Sequence, residues 1–143
     1  MRTKKINEKN FFVYTDGASR GNPGKSAIAF LIFDHSKKLI FKYKKFLGIA
    51  TNNEAEYQAV LLALKKLLDL KIKKAIFFLD SLLVVKQLNN KFKVKDERMQ
   101  RFYLEIKKII FQNGIDAKFQ YIKREENKQA DKLVNEVLDK QKK

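Results

Sequence analysis

The first third of the chain alternates short apolar runs with turn-forming residues. Two mainly apolar runs, at residues 11–15 and 26–34, and a segment at residues 38–48 that mixes apolar residues with lysine are bounded by glycine, asparagine, aspartate or serine. Runs of this length predict β-strands, and the short link at His35-Ser36 predicts an antiparallel meander. Residues 16–25 are rich in glycine and include Asn22-Pro23, which predicts a turn-rich connection after the first strand.

From Asn53 the apolar period becomes helical. Five apolar residues recur three or four positions apart and predict an amphipathic helix: Tyr57, Val60, Leu61, Leu64 and Leu68. The sequence Thr51-Asn52-Asn53-Glu54 has the form of a capping box at its start. The continuous apolar run 75–79 predicts a central strand covered on both faces, and Ser81 predicts the cap of a helix through Leu88.

The last third of the chain predicts a helix, a strand and a final helix. The first of these helices is indicated by Met99, Phe102, Tyr103, Ile106, Ile109 and Ile110. Asn113-Gly114 would end it, because both residues tolerate the left-handed conformation. Residues 117–122 predict a strand and residues 127–138 a helix. The expected architecture is an α/β fold with a mixed sheet of about five strands and helices on its faces.

The length and composition of the chain are those of one folded domain. A chain of 143 residues with 45% hydrophobic residues can bury a single core. We therefore expect one domain over residues 1–143, with frayed basic termini at residues 1–10 and 139–143.

The net charge of +16 favours a polyanionic partner, such as nucleic acid. A competing interpretation is a compositional bias of the source genome, because 27 of the 32 basic residues are lysine. The absence of cysteine excludes disulfides and thiolate metal sites, so any metal must have oxygen ligands. The apolar run at residues 11–14 is too short for a signal peptide or membrane span, so we expect a cytoplasmic protein with no membrane partner. We also expect the protein to be a monomer.

Four acidic residues occupy positions that a solvated surface does not readily explain. Asp16 begins the glycine-rich segment, where an Asx-turn is the competing role. Asp80 follows the apolar run at residues 75–79, and sites in open α/β sheets form at the carboxyl ends of strands, although Asp80 also suits helix capping. Asp131 lies at the margin of the last helix's apolar stripe, where it also suits the positive helix N-terminus.

The fourth acid is Glu56, which helical geometry separates from Glu54. Residues two apart on a helix point about 200° away from each other. Glu54 falls on the polar side and is expected to be the cap, whereas Glu56 shares its side with Val60 and Ala63 and faces the sheet. A carboxylate aimed inward is costly without a partner. Carboxylate sites of this kind suit Mg²⁺ or Mn²⁺.

Four ordered motifs resemble those of the type 1 ribonucleases H over about residues 11–139. They are Tyr14-Thr15-Asp16-Gly17-Ala18-Ser19-Arg20-Gly21-Asn22-Pro23-Gly24, Thr51-Asn52-Asn53-Glu54-Ala55-Glu56, Leu79-Asp80-Ser81 and Glu126-Asn127-Lys128-Gln129-Ala130-Asp131. The resemblance implies the ribonuclease H-like fold, with three antiparallel strands followed by two parallel strands and helices on both faces.

The resemblance also implies chemistry and a substrate. It implies that Asp16, Glu56, Asp80 and Asp131 hold two Mg²⁺ ions, with Mn²⁺ as a substitute, and that the substrate is an RNA/DNA hybrid. Hydrolysis of its RNA strand would give 5′-phosphate and 3′-hydroxyl ends. The implied substrate contacts are Gly17, Asn22, Thr51 and Asn52, whose competing roles are turn residues and helix caps.

Two features depart from the pattern of many family members. The catalytic histidine ahead of the last helix is missing, and Arg124 in the short segment 121–126 is expected to replace it by binding phosphate or assisting product release. Arginine cannot relay protons at neutral pH, and a solvated surface cation is the competing reading. His35 is expected at the surface. The long basic insertion that some family members use to bind the hybrid is reduced to residues 91–95. Because a shorter basic segment is expected to give less strand selectivity, cleavage of double-stranded RNA is a further expectation.

Two other functions compete with hybrid hydrolysis. Integrases, resolvases and exonucleases share the carboxylate chemistry, but the asparagine-rich and Gly-Asn-Pro-Gly motifs argue against them. A catalytically silent nucleic-acid-binding module is the second alternative, and the presence of all four acids argues against it.

Overall fold

A computed structural model describes residues 9–141 and shows a five-stranded sheet in the order β3-β2-β1-β4-β5. Strands β1 to β3 are antiparallel, and β4 and β5 run parallel to β1. Their bounds are β1 (Phe11–Arg20), β2 (Gly24–Phe33), β3 (Leu39–Ala50), β4 (Lys74–Leu79) and β5 (Asp116–Tyr121). The predicted mixed sheet is confirmed.

The helices have the caps that the sequence indicates. Their bounds are α1 (Asn52–Asp69), α2 (Leu82–Leu88), α3 (Glu97–Asn113) and α4 (Lys128–Lys140), with a 3₁₀ turn at Arg124–Glu126. Thr51 and Glu54 form the predicted reciprocal capping box, and Gly114 ends α3 with a φ of 61°. The Ser81 hydroxyl accepts a hydrogen bond from the Val84 amide. Among the described residues, no helix is both long and apolar enough to cross a membrane.

Helices lie on both faces of the sheet, as predicted. Helices α1, α2 and α3 pack on one face and form the main core, whose largest buried side chains include Tyr57, Phe30, Phe77, Ile28 and Leu64. Helix α4 packs on the other face through a smaller cluster, which consists of Ala27, Ala29, Val134, Val137 and Leu138. Because successive side chains of β2 point to opposite faces of the sheet, β2 contributes residues to both clusters.

The connection between β1 and β2 is shorter than predicted. Residues 16–20 continue β1 and pair with residues 25–29 of β2, so the turn is confined to Gly21–Pro23. Asp16 therefore lies inside a strand, opposite Ala29, and the Asx-turn reading is wrong. The cross-strand ladder satisfies the backbone of this segment and overrides its local turn preference.

Two further predictions need correction. Strand β4 is fully buried on one face only, because its residues alternate between buried and half-buried positions. At the C-terminus, Asp139 and Lys140 were expected to fray but belong to α4, where Asp139 forms a 2.8 Å ion pair with Arg20. The remaining residues expected to fray include 1–8 and 142–143, which lie outside the described part of the chain.

Candidate active site

Three of the four candidate acids converge where the middle of the sheet meets the start of α1. Asp16 comes from β1, Glu56 from the second turn of α1, and Asp80 from the residue after β4. One carboxylate oxygen from each lies within 4.8 Å of the others. Asp16 is 5% exposed and Glu56 is 7% exposed, whereas Asp80 is half-buried. We call these three residues the carboxylate cluster.

Gly17 explains how a strand and a helix terminus bring two acids so close. A Cβ atom at this position would lie 2.3 Å from the backbone carbon and oxygen of Ala55 and 2.7 Å from the Glu56 nitrogen. Any side chain here would push β1 away from α1. The glycine therefore allows the backbone approach that places Asp16 beside Glu56.

Burial and mutual repulsion keep the acids of the cluster from ionising easily. Burial, followed by the nearby charges of Asp80 and Asp131, raises the pKa of Asp16 to about 8. Burial is also the main cause that raises the pKa of Glu56, with Asp16 and Asp80 adding to it. The pKa of Asp80 is raised by burial and partly restored by a hydrogen bond from Asn127. A bound cation would relieve each of these penalties.

The donor set fits a hard divalent cation. The Glu56 Oε1 atom is buried and has no hydrogen-bond partner among the described residues. A buried polar atom without a partner costs free energy, and a metal ligand role removes that cost. Three carboxylates without sulfur or imidazole ligands match the oxygen preference of Mg²⁺ and Mn²⁺.

Asp131 lies beside the cluster rather than within it. It belongs to the first turn of α4, its side chain is 31% exposed, and its charge contributes to the raised pKa values of Asp16 and Asp80. A guanidinium nitrogen of Arg124 lies 3.8 Å from Asp131 Oδ1, and the Arg124 side chain is 77% exposed. Arg124 is thus an exposed cation at the edge of the acidic site.

Asn127 is a functional candidate that sequence reasoning missed. It was expected to start the last helix, yet its side chain makes no capping hydrogen bond. The amide Nδ2 instead donates to the Thr15 carbonyl at 2.9 Å and to Asp80 Oδ2 at 3.2 Å. Asn127 is buried, so it ties β1, the end of β4 and the start of α4 together. Its position at the start of the fourth motif, four residues before Asp131, was the sequence feature that could have indicated this role.

Comparison with known proteins finds relatives that are longer than the matched region. The chain spans about a third of the length of its mycobacterial relatives and 63% of the length of an archaeal relative. A family model described as reverse transcriptase-like matches residues 14–137. Over 129 residues the chain is 33% identical to a bifunctional protein of Mycobacterium tuberculosis, covering 89% of this chain and 35% of the relative. It is 34% identical over 127 residues, 88% of its length, to Ribonuclease HI of Halobacterium salinarum.

A solved structure gives the same assignment. The fold superposes on LC11-RNase H1 in complex with RNA/DNA hybrid with a TM-score of 0.88 and 34% sequence identity, covering 92% of this chain and 98% of that one. The chain belongs to the type 1 ribonuclease H family. It contains the family's four motifs, and its fold brings three of the four motif acids into one cluster.

Of the motif residues that were expected to contact substrate, Thr51 and Asn52 lie at the start of α1, Asn22 lies in the turn between β1 and β2, and Gly17 is buried in β1 against α1. The backbone N–H of Asn52 donates to Asn22 Oδ1 at 3.0 Å, and Asn52 Oδ1 accepts from the backbone N–H of Ser19 at 2.8 Å. Thr51 Oγ1 accepts from the Glu54 amide at 3.1 Å. Asn22 and Asn52 are exposed, and Thr51 is half-buried. Asn22 and Asn52 therefore form one exposed surface, with the half-buried Thr51 and the buried Gly17 beside it.

Both departures from the pattern of many family members are visible in this chain. His35 is exposed in the turn between β2 and β3, as expected of a surface residue. The segment before α4 is short and holds the 3₁₀ turn that begins with Arg124. The basic residues 91–95 form an exposed loop after α2, and Gln87 Nε2 donates to the Lys93 carbonyl at 3.3 Å.

Proposed function

We propose that this chain hydrolyses the RNA strand of RNA/DNA hybrids with divalent cations held by Asp16, Glu56, Asp80 and Asp131. The observation that carries the proposal is the convergence of three largely inward-facing carboxylates, one of which has a buried oxygen without a partner. Such an arrangement is costly for the apo fold and is useful if it holds metal. The hybrid bound by the structurally similar LC11-RNase H1 supports the substrate class.

Each acid has a distinct place in the proposed chemistry. Two Mg²⁺ ions, when bound, supply the positive charge that activates the attacking water and stabilises the leaving oxygen, giving 5′-phosphate and 3′-hydroxyl ends. Asp16 of β1 and Asp80, directly after β4, are the proposed metal ligands from the sheet, and Glu56 is the proposed ligand from α1. The partly exposed Asp131 completes the ligand set from α4.

The surface around α1 supplies donors suited to an RNA strand. Recognition of RNA over DNA depends on the 2′-hydroxyl, which both donates and accepts hydrogen bonds. The Oδ1 atoms of Asn22 and Asn52 are occupied by backbone amides, so their side-chain Nδ2 groups are the donors available for that hydroxyl. Gly17 and Thr51 lie beside this surface, where Thr51 suits a phosphate contact.

A panel of labelled duplexes tests the proposal. We expect cleavage of the RNA strand in RNA/DNA hybrid with Mg²⁺ or Mn²⁺ and none with EDTA. RNA/RNA duplex is expected to be a weaker second substrate, because the basic loop at residues 91–95 is short. Binding of hybrid without cleavage in either metal would favour the silent binding module, and cleavage of DNA/DNA would favour another nuclease of this fold.

Arg124→Ala is expected to lower the single-turnover rate about 10-fold to 100-fold, which equals about 1.4–2.7 kcal/mol. Arg124 lies 3.8 Å from Asp131 and is largely exposed, so it can bind a phosphate or help product leave. Arginine stays protonated, so neither wild type nor variant should show a limb near the pKa of histidine in the pH–rate profile. Arg124→Lys serves as the charge-preserving control. A wild-type rate in Arg124→Ala would leave Arg124 as a solvated surface cation.

A further inference from the structure

Part of the second sheet face is left uncovered by the helices that the structure describes. Helix α4 lies on this face and packs on β1, β2 and β3. Side chains alternate along a strand, and Ala75, Phe77 and Leu79 of β4 point into the main core. The intervening residues of β4 and β5 therefore face the other way, and they are Lys74, Ile76, Phe78, Asp116, Lys118 and Gln120. We call this area, together with the neighbouring rings of Phe12, Tyr14 and Phe33 on β1 and β2, the open sheet face.

Aromatic side chains gather on the open sheet face. Phe78 lies with its ring centroid 4.8 Å from Tyr14 and 6.2 Å from Phe12, and Tyr14 lies 5.7 Å from Phe33. All four rings are half-buried, although they occupy the middle of a sheet. Together with Leu31 they line a groove of about 450 Å³. Contiguous exposed apolar surface of this kind marks an interaction site more often than a plain surface does.

Four lysines and three acidic residues, Asp116, Glu125 and Glu126, border these rings. Lys37 and Lys128 line the groove, and Lys74 and Lys118 lie on the adjoining strands. Lys118 has an exposed ion pair with Asp116 at 3.9 Å, which is too weak to remove it from a partner's reach. Glu125 and Glu126 also line the groove, where the 3₁₀ turn leads into α4. The overall charge of +16 adds attraction for a polyanion.

We propose that the open sheet face binds single-stranded nucleic acid. Unpaired bases offer apolar π-faces to aromatic side chains, while phosphates meet lysines. A duplex keeps its bases stacked inside, so it could not use the rings. An apolar protein partner would not need the lysines that border them.

The open sheet face is continuous with the carboxylate cluster. Phe12, Tyr14 and Asp16 lie on the same face of β1, so the rings extend from roughly 7 to 13 Å from Asp16 at about 3.3 Å per residue. On β4, Phe78 likewise precedes Asp80 by two residues. A single strand that flanks a hybrid would therefore contact the rings as it leaves the site, and this placement rests on the proposed function. Binding of a free single strand to the open sheet face does not depend on the proposed function.

The first test measures binding of a fluorescent oligothymidine in EDTA, where metal-dependent cleavage cannot occur. Phe12→Leu combined with Phe33→Leu removes two rings at the end of the groove farther from Asp16 while keeping apolar volume. We expect affinity to fall about 10-fold, within the range for loss of base stacking. The control Phe111→Leu removes an 87% exposed ring on α3 and should change nothing. Unchanged affinity in a double variant with a wild-type melting temperature would overturn the proposal.

The second test follows the salt dependence of the same binding. Lys74→Gln combined with Lys118→Gln should reduce the slope of log K against log salt by about 1.4, or about 0.7 for each lost phosphate contact. The control Lys108→Gln, an exposed residue on α3, should leave the slope near wild type. An equal slope change in control and test variants would show diffuse binding and refute the site.

Photocross-linking with 5-iodouracil oligonucleotides locates the contact directly. We expect cross-links in the peptides that contain Tyr14 and Phe78. Cross-links confined to α3 or to residues 91–95 would overturn the proposal, as would capture of an apolar peptide by the groove with no oligonucleotide bound. Cleavage of a blunt-ended hybrid in Mg²⁺ is measured in parallel, so the nuclease and the open sheet face can each fail alone.

Discussion

Asp16→Asn is expected to reduce hydrolysis of RNA/DNA hybrid by at least about 1,000-fold, equivalent to about 4 kcal/mol of lost transition-state stabilisation. Asp16 is the most central acid of the cluster, because it comes from the middle strand and its carboxylate is close to both Glu56 and Asp80. An amide occupies the same volume but supplies neither the charge nor the oxygen ligand that a divalent cation requires. Single-turnover rates at saturating Mg²⁺ measure the loss.

The same substitution is expected to stabilise the metal-free protein. The folded-state pKa of Asp16 is raised from 3.8 to about 8. A carboxyl group with a raised folded-state pKa contributes stability that is fully present below pH 3.8 and is lost as pH rises to about 8. We therefore expect the free energy of unfolding in EDTA to be about 2 kcal/mol higher for Asp16→Asn at pH 8, since each pKa unit corresponds to about 1.36 kcal/mol and the amide must still be desolvated.

Thermal melts in EDTA between pH 4 and 8 measure this effect, and Asp34→Asn is the matched control. The pKa of Asp34 is lowered by hydrogen bonds from the Lys38 amide and from Ser36, so its ionised form stabilises the fold. Asp34→Asn should therefore not raise stability at pH 8. If Asp16→Asn keeps near wild-type activity, Asp16 is not a metal ligand. If it also fails to raise stability, burial and the neighbouring carboxylates do not make ionisation of Asp16 costly in the folded protein.

Glu56→Gln should abolish turnover to a similar extent, whereas Glu54→Gln should leave it within about threefold of wild type, a change below about 1 kcal/mol. The two residues lie two positions apart on α1 but have opposite surroundings. Glu56 is in the carboxylate cluster with an unpartnered oxygen, and Glu54 caps the Thr51 amide at 2.9 Å and lies 3.7 Å from Arg98. Glutamine retains most of the capping function at position 54.

Isothermal titration with Mg²⁺ and melting curves separate the two roles. Glu56→Gln should weaken metal binding with stability in EDTA maintained or increased, because a neutral amide does not carry the cost of ionising a buried carboxyl group. Glu54→Gln should bind metal as wild type and lose at most about 1 kcal/mol of stability. Equal activity losses in the two variants would show that α1 has a different orientation toward the sheet in the working enzyme.

Local chemistry was enough to predict much of the fold. The Thr51 capping box, the Ser81 cap and the Gly114 terminus depend on residues within four positions of one another, so the sequence displays them directly. The inward direction of Glu56 followed from helical periodicity for the same reason. The ordered motifs added the family, the change from antiparallel to parallel strands and the prediction of four acidic site residues.

What the sequence by itself determined, then, was the set of elements, their caps and the residue types available for chemistry. The tertiary structure alone decided that Asp16 lies within a strand, since its pairing with Ala29 outweighs a local preference for turns. It also decided that Gly17 serves the close approach to α1 and that Asn127 holds Asp80 instead of capping a helix. These roles depend on partners 13 to 47 residues away, and no local pattern encodes such pairings.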